Sequence, residues 1–139
     1  MNLTFFQKTA LAIAGLTASC IAAFILVAPH AFYAGYGVEL GTNASLLSEL
    51  RAPAAGLLAS GILMLAGIMW TAWTRPAVVV AFIVFAGFPA GRIMGLILDG
   101  MPSGGILGAL AIEILIGLLL FAAFGWRRRA AMPGAGVPG

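Results

Sequence analysis

Four long apolar stretches constrain this chain more than any other feature of its sequence. They run over about 9–29, 52–73, 77–98 and 104–126. An α-helix needs about 20 apolar residues to cross the hydrocarbon core of a bilayer. A membrane barrel strand would instead show about ten residues of alternating polarity. The sequence therefore predicts an all-α integral membrane protein, folded as one four-helix bundle.

The composition supports this class and argues against a soluble one. Only 8% of the residues are charged and 63% are hydrophobic, whereas about a quarter of an ordinary soluble domain is charged. The net charge of +3 owes much to three consecutive arginines at one helix end, Arg127–Arg129. Nucleic-acid binding needs a broader basic face, so we expect the lipid bilayer, and no nucleic acid, as a partner.

The cations are distributed so that they predict an orientation. Lys8 precedes the first stretch, Arg75 lies between the second and third, and Arg127–Arg129 follow the fourth. Short cytoplasmic segments carry the excess of Lys and Arg in membrane proteins. Both termini are therefore expected in the cytoplasm, with the long connection 30–51 outside. The tail 127–139, rich in Gly, Pro and Ala, is expected to be disordered.

Short breaks separate the last three stretches. Residues 74–76 and 99–103 both contain proline, and the second break also contains glycine, which is typical of turns. We therefore expect the second and third helices to be joined at 74–76, and the third and fourth at 99–103.

Two segments allow alternatives. Residues 43–51 are either a separate surface helix, capped by Asn43 or Ser45, or an extension of the second helix that bends at Pro53. The first stretch is either a span or a cleaved signal peptide, since 16–20 faintly resembles a lipoprotein cleavage site. The apolar run continues past that motif and is longer than a signal core, which favours a span.

Arg92 and Glu113 are the two ionisable residues inside the predicted spans. An arginine facing lipid at the centre of a helix costs roughly 2.5–3.5 kcal/mol on insertion scales. At 1.5 Å per residue, Arg92 lies roughly 10 Å and Glu113 roughly 15 Å from the loop that joins their helices. Because consecutive antiparallel helices are neighbours, we predict that the two side chains pair. The pair is either a structural device that fixes helix register or part of a relay or ligand site.

Small residues recur near this predicted pair. Glu113 lies in a stripe with i+4 spacing, and glycines repeat in the same way in the preceding helix. Such stripes are typical of close helix contacts in membranes. The residues expected at these contacts are Gly87, Gly91, Gly95, Gly105, Ala109 and Gly117. Pro89 should also leave the carbonyl of Phe85 without its helical hydrogen bond.

Two further charges are candidates for the same polar cluster. Asp99 lies two turns from Arg92 along its helix, and Arg51 lies at the end of the long connection. Arg51 either anchors the chain at the interface or reaches inward to share Glu113 or Asp99. The predicted buried polar cluster therefore comprises Arg51, Arg92, Asp99 and Glu113.

Groups that carry out catalysis are scarce in this sequence. The chain has one cysteine, Cys20, and one histidine, His30. We therefore expect no internal disulfide and no zinc site. Neither a nucleophile with its base nor a glycine-rich phosphate loop is recognisable. We therefore expect no enzyme activity, no catalytic residues, no cofactor and no metal.

Several polar motifs occur in a characteristic order: Glu49-Leu50-Arg51, Gly91-Arg92, Asp99-Gly100-Met101-Pro102 and Glu113. With them the chain, over roughly residues 33–121, resembles the small bacterial membrane family catalogued as domain of unknown function 4345. The resemblance implies a multi-pass four-helix bundle in the inner (cytoplasmic) membrane, with Arg51, Arg92, Asp99 and Glu113 as its polar set. It implies no activity. The fold also resembles DoxX-type four-helix proteins, although this chain lacks their paired cysteines.

Two hypotheses about function follow. The first is a non-catalytic accessory or structural component that associates with another membrane protein or complex, as the small size and glycine stripes suggest. The second is a small transporter, channel or ligand-binding protein with an outward-facing polar cavity formed by the four residues of the predicted cluster.

Overall fold

A computed structural model describes residues 1–125 of the chain. The predicted tail 127–139 and the arginines at its start lie outside the described residues. The described part consists of five α-helices and one π-helical turn: α1 Phe5–Val27, α2 Pro29–Ala34, α3 Ala44–Met69, α4 Thr71–Asp99, α5 Gly104–Leu120 and the π turn Phe121–Gly125.

Four of these elements are long and apolar enough to cross a membrane: α1, α3, α4, and α5 together with the π turn. They correspond to the four apolar stretches of the sequence, and α4 ends at the predicted break 99–103. The existence of four long helices was predictable because each stretch is too long and too continuously apolar for a strand. The described residues thus form an all-helical protein with four candidate membrane spans.

Helix α3 begins earlier than its apolar stretch because its first turn is capped. The side-chain Oδ1 of Asn43 accepts hydrogen bonds from the backbone N–H groups of Ser45 and Leu46, at 3.0 and 3.2 Å. These bonds satisfy donors that the first turn leaves without helical partners. The helix then continues through Pro53 without interruption. Of the two alternatives for 43–51, the extension of the second helix is therefore right and the separate surface helix is wrong.

The prediction that 74–76 joins the second and third helices is wrong, because the chain turns at Trp70. This residue alone is extended between α3 and α4. Buried Thr74 donates its hydroxyl to the carbonyl of Gly67 at 2.8 Å, which ties the two helix ends together. Pro76 lies inside α4, where it removes only the bond to the carbonyl of Ala72. That residue is exposed near the helix end.

The four long helices pack in the order α1, α3, α4 and α5, with each helix against the next. Their shared core lies in the half of the bundle that contains the N-terminus of α1, the α3–α4 turn and the π turn. We call this half the closed end. Its core residues are Ala10, Leu11, Ala14, Met64, Ala77, Ala81, Phe85, Ile116, Leu120 and Ala123.

A stripe of small residues brings α1 and α3 close together. Ala10, Ala14, Ala18 and Ala22 repeat every four residues in α1, and all four are buried. Beside them, Gly61 of α3 faces α1 so closely that a Cβ atom there would lie 2.8 Å from the carbonyl oxygen of Gly15. Small residues allow backbones to approach in this way.

A buried hydrogen bond links the first and last described segments at the closed end. The side-chain Nε2 of Gln7 donates to the carbonyl of Ala123, in the π turn, at 3.0 Å. The same side chain completes a capping box with Thr4 at the start of α1. Gln7 therefore satisfies polar backbone groups of both segments, which a buried helix end requires.

The opposite half, which we call the open end, contains α2, the 35–43 loop and the α4–α5 loop. Gly37 and Gly41 have positive φ angles, of 74° and 62°, which glycine adopts without strain. The ring of His30 hydrogen-bonds the carbonyl of Gly41 at 2.7 Å and so closes the loop on α2. This end has only a small apolar cluster of its own, formed by Ala18, Ala22 and Leu57.

Candidate functional site

A cavity of about 960 Å³ occupies the interior of the open end. Its walls come from α1, α3, α4 and α5, and α2 with the following loop covers it. Most lining side chains are apolar, and the polar ones are few: Thr17, Tyr33, Tyr36, Glu39, Arg92 and Glu113. Ligand pockets in proteins are typically about 300–1,000 Å³ and combine apolar walls with a few placed polar groups. The cavity therefore has the size and composition of a binding site.

The cavity has an exposed apolar rim on α4 and α5, at the side of the bundle. Three of its apolar lining residues keep large exposed fractions: Ile83 64%, Phe88 43% and Ile112 54%. Ile83 and Phe88 lie near the middle of the 29-residue helix α4. An apolar molecule that approaches the middle of the bundle from the side thus meets an apolar entrance.

Arg92 and Glu113 form an ion pair in the wall of this cavity. Nε of Arg92 donates to Oε2 of Glu113 at 2.9 Å, and Nη2 donates to Oε1 at 3.0 Å. This bidentate geometry is the strongest form of the arginine–carboxylate interaction. The pairing predicted from their depths is therefore present. The exposed fraction is 29% for the Arg92 side chain and 11% for that of Glu113, so Arg92 is the more exposed member of the pair.

The other two residues of the predicted cluster lie elsewhere. Arg51 is exposed, and its Nε donates to the backbone carbonyl of Leu26 at 3.3 Å, near the end of α1. Asp99 is exposed at the last position of α4. The prediction of a four-residue buried cluster is wrong in this respect. Both residues are close enough to helix ends to keep their charges at the surface, which avoids the cost of burial.

The glycines of α4 do not form the close helix contact that was predicted for them. A Cβ atom at Gly87 or Gly91 would meet no atom within 4 Å, and one at Gly95 would meet only Asp99 of the same helix. Gly87 and Gly91 instead line the cavity. The stripe of small residues therefore leaves space beside α4, which is the opposite of its predicted effect.

Two of the three small residues of α5 do make close contacts. A Cβ at Gly105 would lie 2.8 Å from the ring of Tyr36, and one at Gly117 would lie 3.0 Å from the carbonyl oxygen of Phe85. Pro89 leaves this carbonyl without its usual helical donor. Ala109, the third, lines the cavity between these two contacts.

Aromatic residues of the open end form the cover of the cavity, and sequence reasoning gave them no role in the site. The ring of Phe32 makes edge-to-face contacts with Phe24, Tyr33 and Tyr36, with centroid separations of 5.4, 5.2 and 5.1 Å. Burial raises the pKa of Tyr33. The positive charge of Arg92 partly offsets this rise in pKa, and neighbouring Tyr36 adds to it. The available signal was a cluster of three aromatics within five residues, 32–36.

The groups that line the cavity are suited to holding a ligand. Within residues 1–125, no three His, Cys, Asp or Glu side chains converge as metal ligands do. The cavity presents an apolar surface, the Arg92–Glu113 charge pair, two tyrosines, and the side chains of Thr17 and Glu39. Such an arrangement can hold an apolar body and orient one polar group of a ligand.

A family model described as Domain of unknown function (DUF4345) matches residues 6–124, which is most of the chain. The chain therefore belongs to this family. Neither a curated protein nor a solved structure matches the chain.

Proposed function

We propose that this member of the DUF4345 family is a non-catalytic membrane protein that binds an apolar or amphipathic small molecule dissolved in the bilayer. The observation that carries the proposal is the cavity of about 960 Å³ in the open half of the bundle. A structural bundle of this size fills its interior, because empty apolar space costs stability. The closed end follows that rule and the open end departs from it.

The lateral entrance supports a ligand that arrives from the membrane. Ile83 and Phe88 are exposed near the middle of α4, where a spanning helix meets acyl chains. A ligand that enters there leaves one apolar environment for another, so its binding requires no transfer through water. The polar groups near the open end then fix the position of its head group.

Filling the cavity tests the proposal. Gly91→Leu places a side chain in the cavity without a clash, because a Cβ there has no neighbour within 4 Å. Gly108→Leu is the matched control, since its Cβ is equally unobstructed and it lies outside the cavity lining. Scintillation proximity on detergent-purified protein measures saturable binding of radiolabelled hexadecane, methyl palmitate or palmitate.

We expect Gly91→Leu to weaken binding by about tenfold or more, since its side chain takes the volume of several ligand methylenes. Gly108→Leu should bind as the unchanged protein does. Equal binding by all three proteins, or no saturable binding of any probe, would contradict the proposal.

The proposed orientation has both termini in the cytoplasm and the open end outside, as the distribution of cations predicts. The single cysteine, Cys20, allows a clean test once it is replaced by serine. Ser103→Cys should then react with an impermeant maleimide added to intact cells, and Ala72→Cys, at an exposed position beside the α3–α4 turn, should react only after the cells are opened. The reverse pattern would overturn the orientation.

The accessory role within a larger membrane complex stays a prediction. Its test is purification in mild detergent, where co-migration with a constant partner would support it. Binding of a ligand and association with a partner are compatible, so neither experiment decides the other.

A further inference from the structure

The ion pair leaves part of the Arg92 guanidinium available to a ligand. A guanidinium has five N–H donors, and Glu113 uses two of them. Among the described residues, Nη1 makes no hydrogen bond. Because 29% of this side chain is exposed and the residue lines the cavity, these remaining donors are accessible from the cavity.

The hydroxyl of Tyr33 is a second donor in the same space. Tyr33 and Arg92 line the same cavity. Phenolic hydroxyls donate as well as accept. A ligand head group in this cavity is therefore offered donors by both residues, which favours an oxygen acceptor.

The charge balance of the pair indicates whether that oxygen is charged. Glu113 already neutralises Arg92 through both carboxylate oxygens. A carboxylate or phosphate head would place an additional, uncompensated negative charge among apolar side chains, which is strongly unfavourable. An uncharged oxygen acceptor binds the free N–H groups without that cost. Glu39, the third charged residue of the lining, is exposed on the loop, so a cationic head at the pair would meet the guanidinium of Arg92, the more exposed member of the pair.

We propose that the cavity selects an uncharged amphiphile whose head presents a carbonyl oxygen, and that Arg92 binds this oxygen through Nη1. The inference rests on the proposed function and adds to it the chemical class of the ligand. The apolar part of the amphiphile lies along α4 and extends through the lateral entrance, so chains longer than the cavity are accommodated.

Three probes that share one chain length test the head group: methyl palmitate, palmitate and hexadecane. Specific binding is the part of the scintillation proximity signal that Gly91→Leu removes, measured at a pH where palmitate is ionised. A hydrogen bond to a charged donor is worth about tenfold or more in affinity. We therefore expect methyl palmitate to bind about tenfold tighter than hexadecane, and also tighter than palmitate.

Two variants separate the role of the pair from that of the cavity. In Arg92→Met/Glu113→Leu no buried charge is left unpaired, so the fold should persist. Methyl palmitate should then bind only as well as hexadecane. In Glu113→Gln the guanidinium loses its counter-charge, so the preference should shift by about tenfold or more from methyl palmitate toward palmitate.

The possible outcomes distinguish this inference from the proposed function. Equal affinities for methyl palmitate and hexadecane in the unchanged protein would overturn the inference and leave the binding cavity standing. A preference for palmitate would overturn it in favour of an anionic ligand. Absence of specific binding by all three probes would contradict the proposed function and the inference together.

Discussion

Removing one member of the Arg92–Glu113 pair is expected to destabilise the protein far more than removing both. The pair is bidentate, with donor–acceptor distances of 2.9 and 3.0 Å, and lies in a largely apolar wall. A buried charge that loses its partner costs about 3–5 kcal/mol, whereas replacing the whole pair by apolar residues is often neutral. The single variants Arg92→Met and Glu113→Leu and the double variant form a complete cycle.

The structure sets the size of each single effect. In Arg92→Met the carboxylate of Glu113, whose side chain is only 11% exposed, is left without its partner in a largely apolar wall. The loss in this variant is therefore expected to be about 3 kcal/mol or more. In Glu113→Leu the guanidinium cannot lose its proton. The Arg92 side chain is 29% exposed, which places the loss in Glu113→Leu at the lower limit, about 3 kcal/mol.

Unfolding by SDS in mixed micelles, followed by circular dichroism, measures the three losses in the free energy of unfolding. We expect about 3 kcal/mol for each single variant and about 1 kcal/mol or less for the double variant. Additive single losses, or losses below about 1 kcal/mol, would refute the reasoning.

Three further predictions concern other parts of the bundle. Gly61→Ala should lower the free energy of unfolding by about 1–3 kcal/mol, because the added Cβ forces α1 and α3 apart. The control Gly56→Ala, whose Cβ meets open space, should raise that free energy by about 0.5–1 kcal/mol. Unfolding by SDS measures both changes. Gln7→Leu should cost about 1–3 kcal/mol in the same assay, because the buried carbonyl of Ala123 loses its donor. Tyr33, whose pKa burial raises, should ionise only above its ordinary pKa of about 10, as ultraviolet difference absorbance can follow. In the unfolded chain Tyr33 loses its proton at a lower pH than in the folded protein. The stabilisation that this residue contributes is therefore complete below about pH 10 and is lost as the pH rises further. Tyr33→Phe should abolish this pH-dependent loss of stability.

The features that were predictable from sequence are those fixed by a large single energy. Apolar length set the four helices, because no other structure satisfies the backbone of such a stretch in lipid. The Arg92–Glu113 pair was predictable because an unpaired charge inside the membrane is costly. The two residues lie at similar depth on consecutive helices, so each is the available partner for the other. The turn at Trp70 was missed for the opposite reason. Proline at position 76 is a strong local signal, but it is tolerated in α4 because the carbonyl it leaves unpaired is exposed.

The glycine stripes show where sequence reasoning reached its limit. A row of glycines allows a neighbouring helix to approach, but it equally leaves space when no helix does so. The alanine stripe of α1 packs against α3, whereas Gly87 and Gly91 of α4 line the cavity. Only the position of the neighbouring helix separates the two cases, and that position depends on contacts far away in sequence, such as the bond between Gln7 and Ala123.

The cavity exists because contacts at both ends hold α5 in place. At the closed end Gln7 binds the π turn that follows α5, and Gly117 rests against the carbonyl of Phe85. At the open end the ring of Tyr36 lies against Gly105, so α5 cannot move toward α1 without displacing the cover. The connection between α1 and α3 thus places the ring of Tyr36 against α5 at the open end. Under the proposed function, this aromatic cover limits the width of the cavity, while Arg92 and Glu113 provide the contacts for a polar head group.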